Sequence, residues 1–165
     1  MSGVRMAKKR SLTPQQGMFF EEFEAGQTII SAGRTVTEAD VVAFAGLTGD
    51  WTPLHTDAVY AAGQPFGQRI AHGLLGLSIA SGLAMRLGFL NETILAFREI
   101  SEWKFSLPVM LGDTLHMRAT VTETKPVRRM GGGLVSFKVE LVNQEEEVAQ
   151  HGLWIVLVKG QPDNP

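Results

Sequence analysis

The 165-residue sequence contains no cysteine. Disulfide bonds, zinc sites with cysteine ligands and cysteine nucleophiles are therefore excluded. The glycine motifs that bind nucleotide phosphates, G-x-x-x-x-G-K-[ST] and G-x-G-x-x-G, are also missing. A protein without cysteine is compatible with the reducing cytoplasm, and we expect a cytoplasmic location.

The sequence also has little net charge, with a formal value of −2. A nearly neutral chain gives no reason to expect nucleic acid or an anionic membrane as a partner. Residues 70–90 form the most apolar stretch, but they include His72, Arg86 and several glycines. We therefore predict a buried helix from Gly73 to near Gly88 and no membrane span.

The N-terminal segment, residues 1–17, is polar and basic, and no apolar run follows its charges. This composition differs from a secretory signal and indicates a disordered basic extension. The remaining length is typical of one domain, which we assign to residues 18–162.

The first half of this domain has the features of short helices. Residues 27–36 are predicted to form a leading strand. Thr37 is a candidate N-cap for a helix that ends at Gly49, directly before Asp50. Thr56 is a second candidate N-cap, for a short helix that continues to residue 62.

From residue 93 onward, apolar residues recur at every second position, which is typical of strands with one buried face. Successive strands with short connections are expected to pair antiparallel. The helix at 73–87 is the element apolar enough to cover the resulting sheet. We therefore predict an α+β protein with a single hotdog domain, in which an antiparallel sheet wraps around a long central helix. The apolar positions are Trp103, Phe105, Leu107, Leu115, Met117, Ala119, Val121, Val135, Phe137, Val139 and Leu141.

A carboxylate and an imidazole stand five residues apart, at Asp50 and His55, with Pro53 between them. Proline prevents the preceding helix from continuing, so the chain must bend. The bend lets both side chains approach one water molecule. The Gly73 N–H, at the start of the apolar helix, is a donor suited to an anionic oxygen. These groups suit the addition of water to an activated carbonyl compound, or its removal.

The motifs G-D-x-x-P-L-H-x-D at 49–57 and I-A-H-G-L-L at 70–75 strongly resemble the MaoC-like dehydratases, which are (R)-specific enoyl-CoA hydratases of the hotdog fold. The resemblance implies reversible syn hydration of a trans-2-enoyl-CoA, or dehydration of an (R)-3-hydroxyacyl-CoA. It implies that Asp50 and His55 are the catalytic pair and that Gly73 binds the thioester carbonyl. It also implies a hydroxyl role for Ser81 near the water, and a homodimer or higher homo-oligomer. Coenzyme A would be part of the substrate, and no cofactor or metal is expected.

Thr52 departs from the asparagine that many of these hydratases have at this position, so the acyl preference is open. Short branched or dicarboxylic enoyl-CoAs are alternatives to straight-chain ones. His72 is expected to hold the loop or to touch the substrate. Ser78 and Ser81 could instead serve only close helix packing. A hotdog acyl-CoA thioesterase and a non-catalytic acyl-binding subunit are the other functions to consider.

Overall fold

Residues 16–162 are described in this computed structural model, and they form four α-helices and six strands. The elements follow the order β, β, four helices, then four long strands, so the predicted α+β hotdog arrangement is confirmed. The bounds are β1 Thr28–Ile30, β2 Arg34–Thr35, α1 Glu38–Thr48, α2 Pro53–Thr56, α3 Ala58–Ala62, α4 Gly73–Arg86, β3 Ile94–Phe105, β4 Thr114–Val127, β5 Gly132–Val142 and β6 Val148–Lys159.

The sheet is antiparallel, with the order β1-β4-β5-β6-β3, and β2 pairs with β4 beside β1. Strands β4 and β5 alternate as the sequence predicts, because the apolar side chains at the predicted alternating positions lie in the core. These buried residues are Leu115, Met117, Ala119, Val121, Val135, Phe137, Val139 and Leu141. Strand β3 forms one edge of the sheet.

Helix α4 packs on β4 and β5 through the side chains that lie in the core. Its opposite side is partly open, since Leu74 and Met85 are exposed. The helix thus starts and ends within two residues of the predicted positions. Among the described residues, no helix has both the length and the hydropathy needed to span a membrane.

Two local predictions were wrong. The strand expected at 27–36 is divided into β1 and β2, because Ser31 leaves the strand and accepts a hydrogen bond from the Met117 N–H at 2.8 Å. Thr56 does not cap a helix. It is the last residue of α2, and its hydroxyl donates to the Trp51 carbonyl at 3.1 Å. Asp57 caps α3 instead and accepts from the Tyr60 N–H at 2.9 Å.

Residues 1–15 of the predicted basic extension lie outside the described part of the chain. Gly17, at its C-terminal end, is buried, and its N–H donates to the Asn91 carbonyl at 2.9 Å. Gly17 therefore bonds to the rest of the described domain. Thr37 caps α1 as predicted, since its side chain accepts from the Asp40 N–H.

Candidate active site

The end of α1 determines where Asp50 lies. Gly49 has φ +78°, in the left-handed region that glycine adopts without strain, and it turns the chain away from the helix. Pro53 then opens α2 at its first position, where the missing N–H leaves no unsatisfied group. This bend brings Asp50 and His55 together with His72. One ligand-type atom from each of the three lies within 4.8 Å of the others.

The His55 ring is held in one orientation by the backbone. Its Nδ1 lies 2.8 Å from the Ile70 carbonyl oxygen, which can only accept a hydrogen bond. Nδ1 therefore carries a proton, and in the neutral ring the lone pair is on Nε2. That nitrogen is the atom of His55 that can accept a proton from a bound water.

The Asp50 carboxyl group is fixed by Thr52. Its Oδ1 accepts hydrogen bonds from the Thr52 hydroxyl at 2.6 Å and from the Thr52 N–H at 3.2 Å. These two bonds, and then the nearby His72 and His55, lower the pKa of the Asp50 carboxyl below its ordinary value. The group is therefore an ionised carboxylate at neutral pH. Its Oδ2 accepts no hydrogen bond from the residues that the structure describes, which leaves it available to water.

Replacing Thr52 with valine is expected to raise the pKa of the Asp50 carboxyl, because the hydrogen bond from the Thr52 hydroxyl contributes most to lowering that pKa. Carbon-detected NMR titration of the Asp50 carboxyl measures this shift. Thr52→Ser is the matched control, since serine keeps a hydroxyl and should leave the pKa close to that of the wild type. Equal Asp50 pKa values in the valine and serine variants would show that the hydroxyl bond does not set the acidity.

The buried His72 side chain supports the loop that carries Asp50. Its side chain is 2% exposed, and its Nε2 lies 2.9 Å from the Asp50 carbonyl oxygen, to which it donates. The ring also lies against the His55 ring, with centroids 3.9 Å apart and a tilt of 32° between the planes, and it contacts Phe44. Of the two expectations for His72, the contacts support the one in which it holds the loop.

The same three residues are the described group that could offer ligands to a metal ion. Each already uses one polar atom, to Thr52, the Ile70 carbonyl or the Asp50 carbonyl. The remaining atom of His72, Nδ1, is buried without a described partner. A metal would therefore find two accessible ligands, whereas the metal sites of catalytic zinc enzymes usually have three protein ligands.

A cavity of about 690 Å³ opens beside His55 and the start of α4. Gly73 is the first residue of that helix, and its N–H has no acceptor among the described residues. A Cβ at this position would lie 2.8 Å from the Phe105 ring, so the close contact requires glycine. The lining consists of His55, Phe66, Ile70, Ala71, Gly73, Leu74, Phe105, Ser106, Leu107, Pro108, Val109 and Gln150.

Gln150 is a polar residue of the lining that was not predicted from the sequence. Its side chain is 2% exposed, and it stands on β6, where Ala149 and Trp154 are also buried. A glutamine at an alternating position that it shares with the buried Trp154 and Val156 is the signal that could have identified it, because buried amides need specific partners.

Ser81 is not among the residues that line this cavity. Together with Ser78 it borders a separate cavity of about 310 Å³, next to Phe97, Ile100 and Trp154. The structure therefore brings together Asp50, Thr52, His55, His72 and Gly73, and it leaves Ser81 apart. A role for the Ser81 hydroxyl at the water stays a prediction.

Comparison with known proteins adds an independent observation. Residues 22–143 match the family model described as MaoC like domain. The chain is 34% identical over 117 residues to the (R)-specific enoyl-CoA hydratase of Rhodospirillum rubrum. This match covers 67% of this chain and 74% of that protein. It is 38% identical over 102 residues to the protein MaoC of Klebsiella aerogenes, but there the match covers 62% of this chain and only 30% of that longer protein.

The fold is similar to that of solved structures as well. The X-ray structure described as a monoamine oxidase regulatory protein from Archaeoglobus superposes with a TM-score of 0.84 at 36% identity. The superposition covers 92% of this chain and 100% of that one. The likeness therefore extends over nearly all of the described domain.

Proposed function

Because the chain belongs to the MaoC-like domain family, we propose that it is an enoyl-CoA hydratase, which adds water reversibly to a trans-2-enoyl-CoA and forms an (R)-3-hydroxyacyl-CoA. The observation that carries this proposal is that Asp50 lies close to His55, and that His55 and Gly73 line the same cavity. Among the described residues, none bonds the Asp50 Oδ2 or the His55 Nε2, which leaves both atoms for one water, and none accepts from the Gly73 N–H, which is left for one anionic oxygen.

The chemistry needs three functions from these groups. A thioester makes the β-carbon of the enoyl group electrophilic, and negative charge develops on the carbonyl oxygen as water attacks. The Gly73 N–H stabilises that oxygen at the helix N-terminus. The water oxygen bonds to the β-carbon, one of Asp50 and His55 accepts a water proton, and a proton is then delivered to the α-carbon. Coenzyme A is part of the substrate, and the reaction uses no separate cofactor.

The lining of the cavity favours an apolar acyl group. Among the described residues that border it, none is a lysine or arginine, and the polar side chains are His55, Ser106 and Gln150. The free carboxylate of a dicarboxylic acyl chain would lose its hydration there without gaining a cationic partner, which is costly. We therefore favour straight or branched hydrocarbon chains over dicarboxylic ones.

Incubation with crotonyl-CoA tests the proposal. A hydratase removes the enoyl absorbance without releasing free thiol. A thioesterase would release thiol, and an acyl-binding subunit would change neither signal. Enoyl-CoAs with longer and branched chains, and one with a terminal carboxylate, extend the same assay to the acyl preference.

We also propose that the protein is a homodimer. The edge strand β3 exposes several large apolar side chains, and an uncovered apolar edge promotes association. These residues are Leu95, Phe97, Ile100 and Phe105.

Light scattering at micromolar concentration is expected to give the mass of a dimer. Ile100→Lys should shift the protein to the monomer, because the interface would bury an unpaired charge. Val59→Lys is the matched control, since Val59 is 88% exposed on α3, away from β3. A monomeric wild type would contradict the proposal.

A further inference from the structure

Gln150 connects the sheet to the first turn of α4. Its Nε2 donates to the Gly73 carbonyl oxygen at 3.0 Å, and its Oε1 accepts from the Trp103 indole N–H at 3.3 Å. The Gly73 carbonyl can only accept and the indole can only donate, so the two partners fix which end of the amide faces which. Both bonds are partly buried, and they join residues that are far apart in sequence.

The packing around this amide is tight. A Cβ on Gly76 would lie 2.2 Å from the Gln150 Nε2, so the amide fits directly against the glycine face of α4. Phe105, the cross-strand neighbour of Gln150, contacts Gly73 with its ring. Phe105 and Gln150, which pair across β3 and β6, thus both hold Gly73. Phe105 does so by a ring contact and Gln150 by a hydrogen bond.

The N-terminal turn of a helix is less constrained than the turns that follow. The reason is that the first N–H groups of the helix have no partners within it. Here the cap residue, His72, makes no side-chain capping hydrogen bond. The Gln150 amide bonds the Gly73 carbonyl from the sheet side and so restrains this turn.

We infer that Gln150 is a positioning residue, which anchors the first turn of α4 so that the Gly73 N–H keeps its place beside His55. The inference rests on the proposed function for its kinetic consequence, but the anchoring itself is independent of activity. Gln150 acts through Gly73 and takes no part in proton transfer.

Two substitutions separate the anchor from general packing. Gln150→Met has a similar length but no donor, and we expect it to lower kcat on crotonyl-CoA about 30- to 100-fold, since a misplacement near 1 Å can cost this much. KM should change less than about 3-fold, because the donor acts mainly on charge that develops in the transition state. Trp103→Phe is the matched control, because it removes the other hydrogen bond and leaves the one to Gly73.

Gln150→Glu gives a readout that lost packing would not. An ionised carboxylate would face the Gly73 carbonyl oxygen without a proton to donate, whereas the protonated acid can donate. Burial raises a carboxyl pKa, so kcat of this variant relative to wild type should rise as the pH falls. For Gln150→Met the ratio should stay constant with pH. His55, the other titratable residue that lines the cavity, is the same in the variant and the wild type, so the ratio isolates the change at residue 150.

Hydrogen exchange provides the test that does not need turnover. The Leu75 and Gly76 N–H groups, which donate to the His72 carbonyl oxygen in the first turn of α4, are expected to exchange at least about 10-fold faster in Gln150→Met, while the core strands keep their protection. Unchanged exchange in that turn would overturn the inference, as would a folded Gln150→Met enzyme with wild-type kcat. If Gln150→Met fails to fold, a Gln150→Glu ratio that is constant with pH overturns it. A wild type without hydratase activity would refute the proposed function and leave the exchange test standing.

Discussion

Asp50→Asn is expected to lower kcat on an enoyl-CoA by about 10³-fold or more, which is the range for loss of a general acid or base. Asparagine keeps the size of the side chain and can still accept from Thr52 through its carbonyl oxygen, but it removes the negative charge and the proton acceptor. Steady-state kinetics on crotonyl-CoA measures the loss.

His55→Gln should have an effect of similar size, and the double variant should lose little more than either single one. The reason is that both side chains act on the same water, so removal of one already disables the pair. Additive losses in the double variant would show that Asp50 and His55 work in separate steps.

The fold should survive these changes, because the Asp50 side chain is exposed and the substitutions preserve shape. Circular dichroism and the thermal midpoint provide the control. An Asp50→Asn or His55→Gln enzyme that keeps most of its kcat would show that the pair has been assigned wrongly.

Gly73→Pro is the second change with a large expected effect, a loss of about 10²- to 10³-fold in kcat/KM through removal of one oxyanion donor. Proline is tolerated at the first position of a helix, and His72 before it already has the extended geometry that proline requires, with ψ 137°. The N–H can therefore be deleted without preventing the helix from starting.

Gly73→Ala is the matched control for this experiment. Both substitutions introduce a Cβ 2.8 Å from the Phe105 ring, and that ring, which is exposed, must move in both. Alanine keeps the N–H, so the difference in kcat/KM between the two variants reports the replacement of the donor by the proline Cδ, with the Cβ contact held in common. If both variants lost the same activity, crowding by Phe105 and not the missing donor would explain the loss.

The main elements of the fold could be predicted because local patterns and burial agree in them. Alternation in β4 and β5 and the apolar helix α4 both follow from side chains that pack in one core. Thr56 was misassigned because Pro53 starts an additional turn, which moves the cap to Asp57. In that segment, two cap-forming residues are adjacent, and only the path of the chain decides between them.

The candidate site was predictable where its residues are close in sequence. Asp50, Thr52 and His55 share one bend, and Pro53 reveals that bend in the sequence. The contacts of Gln150 were not predictable, because Gly73 lies 77 positions away and Trp103 lies 47 positions away. Only strand register brings such residues together, and period-two patterns do not define which strands are neighbours.

The most direct test of the account is the stereochemistry of hydration in D₂O. With the carbonyl on the Gly73 N–H, a water held by Asp50 and His55 reaches one face of the double bond only. Crotonyl-CoA should therefore give a single enantiomer of 3-hydroxybutyryl-CoA, the (R) form, with one deuterium added at the α-carbon on the same face as the oxygen. Chiral chromatography and NMR of the product measure both outcomes. A racemic product, or deuterium on the opposite face, would contradict the mechanism.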